Sequence, residues 1–125
     1  LTGGRGADVI YDPVGGDLFD QSTRCINFNG RLLVIGFASG RIPQFPVNLS
    51  LVKGFSVVGV FWGRFARKEQ PELHRENMAL LFDWLLAGQF TPQIDSVFPL
   101  HETGLALKRI SDRKATGKVI VQVVA

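Results

Sequence analysis

A nearly continuous apolar run constrains the fold of this chain more than any other feature. The run, Arg31 to Gly36, reads RLLVIG and leads into the glycine-serine turn that ends at Gly40. Apolar side chains at consecutive positions are typical of a strand in a parallel sheet with both faces covered. The run therefore predicts a buried strand of an α/β domain.

Strand and helix patterns alternate on the amino-terminal side of this run. β-Branched and aromatic residues predict a strand over Ala7–Asp12, stopped by Pro13 and the glycine pair 15–16. A helix is predicted from Asp17 to about Phe28, with Asp17 as its cap and Gly30 left-handed after its end. Its predicted inward positions are Leu18, Ser22, Cys25 and Ile26.

The same alternation continues on the carboxyl-terminal side. Asn48–Lys53 predicts a short helical turn closed by Gly54, and Phe55 to Phe61 predicts a strand with aromatic ends. Two prolines make the stretch 42–47 irregular. The order of elements predicts an α/β fold with a parallel sheet and right-handed crossovers.

A second segment with another pattern follows the basic stretch Arg64 to Gln70, which is the candidate boundary. A helix is predicted from Pro71 to Gly88, and strands are predicted over Ile94–Phe98 and Lys118–Val124. A helix from about Glu102 to Ser111 lies between those strands. The predicted inward residues of the two helices are Met78, Leu81, Phe82 and Leu85 in the first and Leu107 and Ile110 in the second.

Composition excludes several classes of function. The 125 residues are 46% hydrophobic and 20% charged with a formal net charge of +3, which suits one ordinary globular domain. The basic residues cluster only at Arg64 to Lys68, so nucleic acid is not an expected partner. No apolar run reaches the ~20 residues of a membrane span. The single cysteine, Cys25, permits no internal disulfide, so we expect a reduced, cytoplasmic setting.

The start of the chain does not look like the start of a protein. Residue 1 is Leu, and LTGGRGAD reads as a loop that enters a strand. We expect a piece of a longer chain. A processed N-terminus or an omitted tag is the alternative.

Three predicted strand ends carry the candidate functional residues. Asp12, the turn Phe37-Ala38-Ser39 and the triplet Phe61-Trp62-Gly63 all follow predicted parallel strands. Open α/β sheets bind ligands outside the carboxyl ends of their strands, so these residues are expected to line one site. Each also has a purely structural explanation: Asp12 as a turn initiator, Ser39 as a turn residue and Trp62 as a core or interface aromatic.

The turn at 36–40 is not expected to hold a phosphate. A phosphate cradle needs glycines that open directly into a helix, whose first amides bind the anion. Gly36 and Gly40 lead instead into the proline-containing stretch RIPQFP. The group Pro13-Val-Gly-Gly16 does precede a helix, but its spacing matches neither the dinucleotide fingerprint nor a P-loop.

Other reactive side chains do not form a predicted site. His74 and His101 are expected to be exposed helix residues, and Cys25 a small core residue. Ser22 and Ser50 lack the context of a catalytic nucleophile. Arg64, Arg67 and Lys68 suit a phosphate or a solvated loop equally well. No metal site and no catalytic residue is predicted.

Three stretches together resemble a known protein family. GADVIYDPVGGDLFDQS, GRLLVIGFASG with IPQFPVNLSLVKGFSVVGVFWG, and RKATGKVIV resemble the C-terminal part of zinc-independent medium-chain dehydrogenases/reductases, closest to NADPH-dependent quinone oxidoreductases of the zeta-crystallin type. The resemblance implies that residues 1–64 are the C-terminal half of a Rossmann nucleotide-binding domain. It implies that residues 65–125 are a helix and a strand-helix-strand segment returning to the substrate domain.

The resemblance also implies roles for individual residues. The glycine fingerprint of the first Rossmann strand has no counterpart in this sequence, so the carried-over cofactor contacts are few. Asp12, Pro13, Val14 and Gly15 match the strand end near the adenosine. Gly36, Phe37, Ala38 and Ser39 match the turn beside the nicotinamide ribose and carboxamide; Phe61, Trp62 and Gly63 match the nicotinamide loop; Arg113 or Lys118 matches a phosphate contact.

The expected function follows from this resemblance. The intact parent would transfer a hydride from NADPH to a quinone or enone, and the chain alone would be inactive. An enoyl- or crotonyl-CoA reductase is the alternative enzyme, and a non-enzymatic self-associating domain is the alternative from another class. The strand Phe55 to Phe61 would be an edge that pairs with its copy in a homodimer, since so apolar an edge otherwise invites aggregation.

Overall fold

The computed structural model describes residues 2–123 and divides into two compact units, the first ending at His74 and the second beginning at Arg75. Both units combine helices with a parallel sheet, so the predicted α/β class is confirmed. The division predicted between residues 64 and 65 concerns a nucleotide-binding and a substrate-binding part, and it stays a prediction. No helix within the described residues is long and apolar enough to cross a membrane.

The first unit is built on a three-stranded parallel sheet in the order β1-β2-β3. Its strands are β1 (Ala7–Asp12), β2 (Ile26–Val34) and β3 (Ser56–Gly59). Helix α1 (Gly16–Cys25) connects β1 to β2, and the short helix α2 (Asn48–Lys53) precedes β3. Each connection is a crossover, as parallel neighbours require.

One face of this sheet carries the core. Phe19 of α1 packs with Ile26, Leu32 and Phe55, and Leu49 of α2 packs against the same cluster. The ring of Phe45 lies between those of Phe19 and Phe55 at centroid distances of 5.8 and 5.9 Å. The irregular, proline-containing stretch therefore contributes to the core.

The opposite face of the sheet is exposed, which corrects the expectation that β2 is covered on both sides. Tyr11, Leu33 and Val58 are register partners across the three strands and share this face. Tyr11 is 66% exposed and Leu33 is only half-buried. The continuous apolar run 31–36 thus does not mean that this chain alone covers both faces of the sheet.

Helix α1 presents a different side to the sheet from the one predicted. Phe19 and Thr23 are buried, whereas Leu18 and Cys25 are exposed. The helix begins at Gly16 after Gly15, both with positive φ, and Asp17 does not cap it. The side chains four residues apart on the helix, Phe19 and Thr23, therefore turn inward together.

The end of α1 also differs from the prediction. The helix stops at Cys25, and Ile26 is already extended, so β2 begins five residues earlier than predicted. Gly30 lies inside β2 and is not left-handed; Asn29 has the positive φ of 58°. A Cβ on Gly30 would lie 2.7 Å from Cγ1 of Ile26, so close packing is what requires glycine there.

The helical segment after β3 is irregular. It consists of a short helical turn α3 (Trp62–Arg64), a π-helical turn (Phe65–Glu69) and the long helix α4 (Pro71–Leu86), within which the two units divide. The apolar side chains of α4 predicted to face inward are half-buried or exposed in this chain, with Leu81 and Phe82 exposed.

The second unit pairs two parallel strands around one helix. Strand β4 (Ile94–Pro99) is followed by a 3-10 turn (Leu100–Glu102), helix α5 (Thr103–Ser111) and strand β5 (Lys118–Gln122). Ala106 is the buried residue of α5, while the predicted inward residues Leu107 and Ile110 are exposed. The predicted last position of β5, Val124, lies outside the described residues.

Asp95 ties the parts of the second unit together. Its side chain is only 2% exposed and forms a bidentate ion pair with Arg109 of α5. It also accepts hydrogen bonds from the backbone N–H of Thr116 at 3.1 Å and from the hydroxyl of Ser96 at 2.8 Å. These bonds, first of all the one from Arg109, hold the pKa of the Asp95 carboxyl well below its usual range.

Candidate functional site

The three strands of the first unit end at the same level. Asp12, Val34 and Gly59 are register partners at the carboxyl ends of β1, β2 and β3. The backbone N–H of Ile35 donates to Asp12 O at 2.9 Å, and that of Val60 donates to Val34 O at 3.0 Å. The segments that leave the strands therefore start side by side, at the edge where open parallel sheets bind ligands.

The side chain of Asp12 shapes the first of these segments. It is 95% buried, and Oδ1 accepts hydrogen bonds from the backbone N–H groups of Val14 and Gly15 at 2.9 and 2.8 Å. A carboxylate that binds amides two and three residues ahead forms an Asx turn. The structural explanation weighed for Asp12, a turn initiator, thus applies, and this oxygen faces the turn.

The turn after β2 lies directly against the turn after β1. The N–H of Ala38 donates to Pro13 O at 3.2 Å, and that of Ser39 donates to Val14 O at 3.0 Å. A Cβ on Gly15 would lie 2.8 Å from Cδ1 of Phe37. The structure therefore brings the predicted groups 12–15 and 36–39 together, with glycine at the closest approach.

The segment after β3 supplies exposed aromatic rings. Phe61 is 76% exposed and Trp62 is 52% exposed, whereas Phe37 on the neighbouring segment is 42% exposed. Trp62 stacks on Phe65 at a centroid distance of 5.2 Å and meets the edge of His74 at 5.2 Å. Trp62 thus packs against two rings and still exposes about half of its surface.

The turns 12–15 and 36–39, here called the paired turns, have too few free amides to hold a phosphate. In the segment 35–41 the N–H groups of residues 35, 36, 38, 39, 40 and 41 all donate to nearby oxygens. Within the described residues, the N–H of Phe37 has no such partner. The segment therefore keeps one free donor, and its role as a wall of the site stays a prediction.

Arg113 and Lys118 belong to the second unit, whereas the other candidate residues belong to the first. Arg113 has a positive φ of 56° after α5, and its N–H donates to Ile110 O at 3.0 Å. Lys118 begins β5. Their assignment to a cofactor phosphate remains an expectation from the resemblance.

Two side chains differ from their sequence expectations. His74 is not an exposed helix residue: it is half-buried beside Trp62, and its Nδ1 is buried without a hydrogen-bond partner among the described residues. Cys25 is not a core residue but is exposed. His101 is exposed as expected.

Sequence analysis missed a cleft of about 540 Å³ between α1 and the segment 44–53. Phe19 and Phe45 line it together with Lys53, whose ammonium donates to the carbonyls of Thr23 and Arg24 at 2.6 and 3.1 Å. Those carbonyls end α1, so this cleft lies toward the amino ends of the strands, away from the candidate site. The apolar residues of the stretch 42–47 were the available signal.

The described residues do not fit a zinc site. No group of three or more His, Cys, Asp or Glu side chains within residues 2–123 is arranged to hold a metal ion.

The chain is similar to known dehydrogenases and reductases. Residues 1–121 match the model of a family described as zinc-binding dehydrogenase. The chain is 43% identical to the quinone oxidoreductase-like protein 2 homolog of Nematostella vectensis, over 97% of this chain and 33% of that protein. It is 30% identical to a 2-haloacrylate reductase of a Burkholderia species, over 97% of this chain and 36% of that protein.

A solved structure shows the same fold. A mycobacterial protein complexed with NADPH superposes with a TM-score of 0.79 and 28% identity, over 97% of this chain and 37% of that one. The chain thus spans about a third of the length of the curated relatives it matches. It belongs to the zinc-binding dehydrogenase family, and the relatives that it matches include quinone oxidoreductase-like proteins.

Proposed function

We propose that this chain forms the nicotinamide-facing wall of an NADPH-dependent quinone oxidoreductase. The whole enzyme would transfer a hydride from NADPH to a quinone or another electron-poor enone. The observation that carries the proposal is the common level of the three strand ends, where Phe37, Phe61 and Trp62 offer exposed rings. Flat apolar surfaces at this edge suit a nicotinamide nucleotide.

The residues present fit the nicotinamide end of the cofactor better than its pyrophosphate. The free N–H of Phe37 can donate to a carboxamide oxygen, and the rings of Phe61 and Trp62 can exclude water from the reacting face. Apart from that of Phe37, the amides of the paired turns are already bonded, so they offer little to a pyrophosphate. When bound, NADPH supplies the hydride, while these residues orient it.

The chain alone is therefore expected to bind NADPH weakly and to catalyse no turnover. The test is the loss of NADPH absorbance with menadione in the presence of the purified 125-residue chain. We expect NADPH absorbance to fall at the same rate as in a control reaction that contains no protein. A rate that rises in proportion to the chain's concentration would contradict the assignment of the phosphate site to sequence outside this chain.

Weak binding is separately measurable by the indole N–H resonance of Trp62 in nitrogen-edited NMR. We expect NADPH to shift this resonance and to leave that of Trp84, in the second unit, in place. Phe37→Ala should weaken the effect by removing one exposed ring. If NADPH shifts neither resonance at millimolar concentration, the proposed site is wrong.

A second candidate substrate class rests on one similarity. The relatedness to a 2-haloacrylate reductase favours a reductase acting on an activated carbon–carbon double bond, the chemistry that an enoyl- or crotonyl-CoA reductase also performs. Comparing menadione with 2-chloroacrylate as acceptors for the full-length protein would separate the two classes.

Self-association through β3 is a further proposal about this chain. Its four residues are all exposed, and β3 is an edge of the sheet. Val57→Lys should convert a dimer to a monomer in size-exclusion chromatography. Phe55 does not suit this test, because it is a buried core residue and lysine there would unfold the sheet. A dimer that survives Val57→Lys would rule out this edge.

A cytoplasmic location is likewise proposed.

A further inference from the structure

We propose that the cleft beside the π-helical turn binds an anionic group, and that among the electron-poor acceptors of the proposed function the enzyme prefers a conjugated carboxylate to a neutral quinone. The inference rests on the proposed function, since it names the substrate class of the same site. The cleft measures about 500 Å³ and is lined by Phe61, Gly63, Arg64, Arg67 and Lys68. None of these lining residues is acidic.

The charges of this cleft are only partly neutralised. Arg64 Nε donates to Oε1 of Glu69 at 2.7 Å, so one cation has a carboxylate partner. Within the described residues, Arg67 and Lys68 make no ion pair. Two adjacent unpaired cations beside an exposed ring form a surface that favours a small anion.

The backbone explains why these cations line one cleft. The turn Phe65–Glu69 is π-helical, with the N–H of Gln70 donating to Phe65 O at 2.9 Å. A π-helical turn holds one more residue than an α-helical turn and is frequent at functional sites. Here the wider turn includes both Arg67 and Lys68 and directly follows α3.

A second, apolar groove adjoins the basic cleft and fixes the shape of the ligand. It measures about 350 Å³, and its lining residues include Val60, Trp62 and Phe65. Phe61 lines both the groove and the cleft. A ligand that fills both places an anionic group by Arg67 and Lys68 and a flat apolar body along the groove. A conjugated carboxylate has both parts, whereas a neutral quinone leaves the cations unpaired.

The test uses trans-cinnamate, with cinnamamide as its uncharged counterpart. Each is titrated into the 125-residue chain while the indole resonances of Trp62 and Trp84 are followed. We expect cinnamate to shift Trp62 in a saturable manner with a Kd of about 1 mM, and cinnamamide to bind at least about fivefold more weakly. Equal binding of the two compounds would overturn the proposal.

Matched variants connect the effect to the cleft. Arg67→Gln with Lys68→Gln should weaken cinnamate binding about fivefold or more. Arg5→Gln with Arg31→Gln removes the same charge from exposed positions outside both clefts and should leave binding unchanged. Unchanged dispersion of the first unit's backbone amide resonances in the ligand-free spectrum shows that each variant is folded. Loss of binding in the control pair alone, or in neither pair, would contradict the assignment.

Inorganic phosphate separates a substrate carboxylate from a cofactor phosphate. If phosphate displaces cinnamate at equal concentration, the cleft holds a phosphate and the substrate class is wrong. If it does not, the carboxylate assignment stands. The NADPH titration reports the proposed function independently: cinnamate binding without any NADPH effect would leave the anion site intact and remove the hydride-transfer function.

Discussion

Gly15 is the residue on which the two turns of the candidate site meet. Its φ is +66°, and a Cβ there would lie 2.8 Å from the ring of Phe37. Gly40 also has a positive φ, +84°, but nothing lies within 4 Å of its Cβ position. Alanine substitutions at these two glycines therefore separate two free-energy costs. At Gly40 only the backbone conformation is unfavourable, whereas at Gly15 the close packing against Phe37 adds to it.

Gly15→Ala should be more destabilising than Gly40→Ala for this reason. We expect a loss of roughly 2–3 kcal/mol in the free energy of unfolding at Gly15 and about 1 kcal/mol at Gly40. Urea denaturation followed by tryptophan fluorescence measures both. Equal losses would show that the Phe37 ring moves aside at little cost.

Asp12 supports the same turn through its carboxylate. Asp12→Ala removes the acceptor of two amides and leaves them buried or half-buried, so we expect a loss of about 2 kcal/mol. Asp12→Asn keeps an oxygen in place and should lose less than half as much. If both variants unfold at the same urea concentration, the hydrogen bonds to Oδ1 contribute little.

Individual positions show where inference from sequence fails. The pattern of apolar residues around Leu18 predicted the wrong side of α1, because the positive-φ glycines set where the helix starts and hence which side chains turn inward. Asp12 and the turn at 36–40 were placed at strand ends from the sequence, and the structure has them there. Contacts such as Phe37 on Gly15, or Trp62 on His74, depend on side chains distant in sequence, and no local pattern encodes them.

At the scale of elements, the second unit depends on one acidic side chain. Asp95 on β4 joins α5 through Arg109 and the loop before β5 through Thr116. The folded state lowers the pKa of this carboxyl, so its contribution to stability is present above the ordinary Asp value of about 3.9 and is lost as the pH falls below it. The second unit should therefore be acid-labile.

The measurement is the acid unfolding curve reported by the indole resonance of Trp84. Asp95→Asn should lower the midpoint of thermal unfolding at neutral pH by about 5 °C or more, and should flatten the acid dependence. Asp112→Asn is the matched control, since its carboxylate pairs with Lys108 on the surface and is more exposed. An equal effect of the two substitutions would contradict the central role of Asp95.

The type of each helix or strand was predicted more accurately than its first and last residues. Every strand predicted from β-branched runs is present within the described residues, but β2 starts at Ile26 and not at Arg31. The sequence INFNG carries polar and glycine residues that favour a turn. In the fold, Asn27 donates to the Asp8 carboxylate at 2.7 Å and Asn29 N–H donates to Gly54 O at 2.6 Å, which holds this stretch beside its neighbours.

At the scale of the whole molecule, the uncovered face of the first sheet is the surface most prone to unspecific association. Tyr11, Val9 and Val58 are exposed there, and exposed apolar patches promote association. Tyr11→Lys should lower light scattering by the concentrated chain. Val47→Lys changes an equally exposed apolar residue outside the sheet and should not. If Val47→Lys lowers the light scattering and Tyr11→Lys does not, association proceeds through the segment around Val47 and not through the sheet.

Parallel pairing throughout both units has a kinetic consequence. Strands that are neighbours in each sheet are joined through a helix and not through a hairpin, so no strand pair can form before the intervening chain has closed a long loop. Such non-local contacts slow the search for the native state, and mixed α/β domains of this kind refold on the order of milliseconds or longer. A chain emerging from the ribosome would hold β1 unpaired until β2 has been synthesised, with Ile10 and the backbone N–H and C=O groups of β1 open to chaperones during that interval.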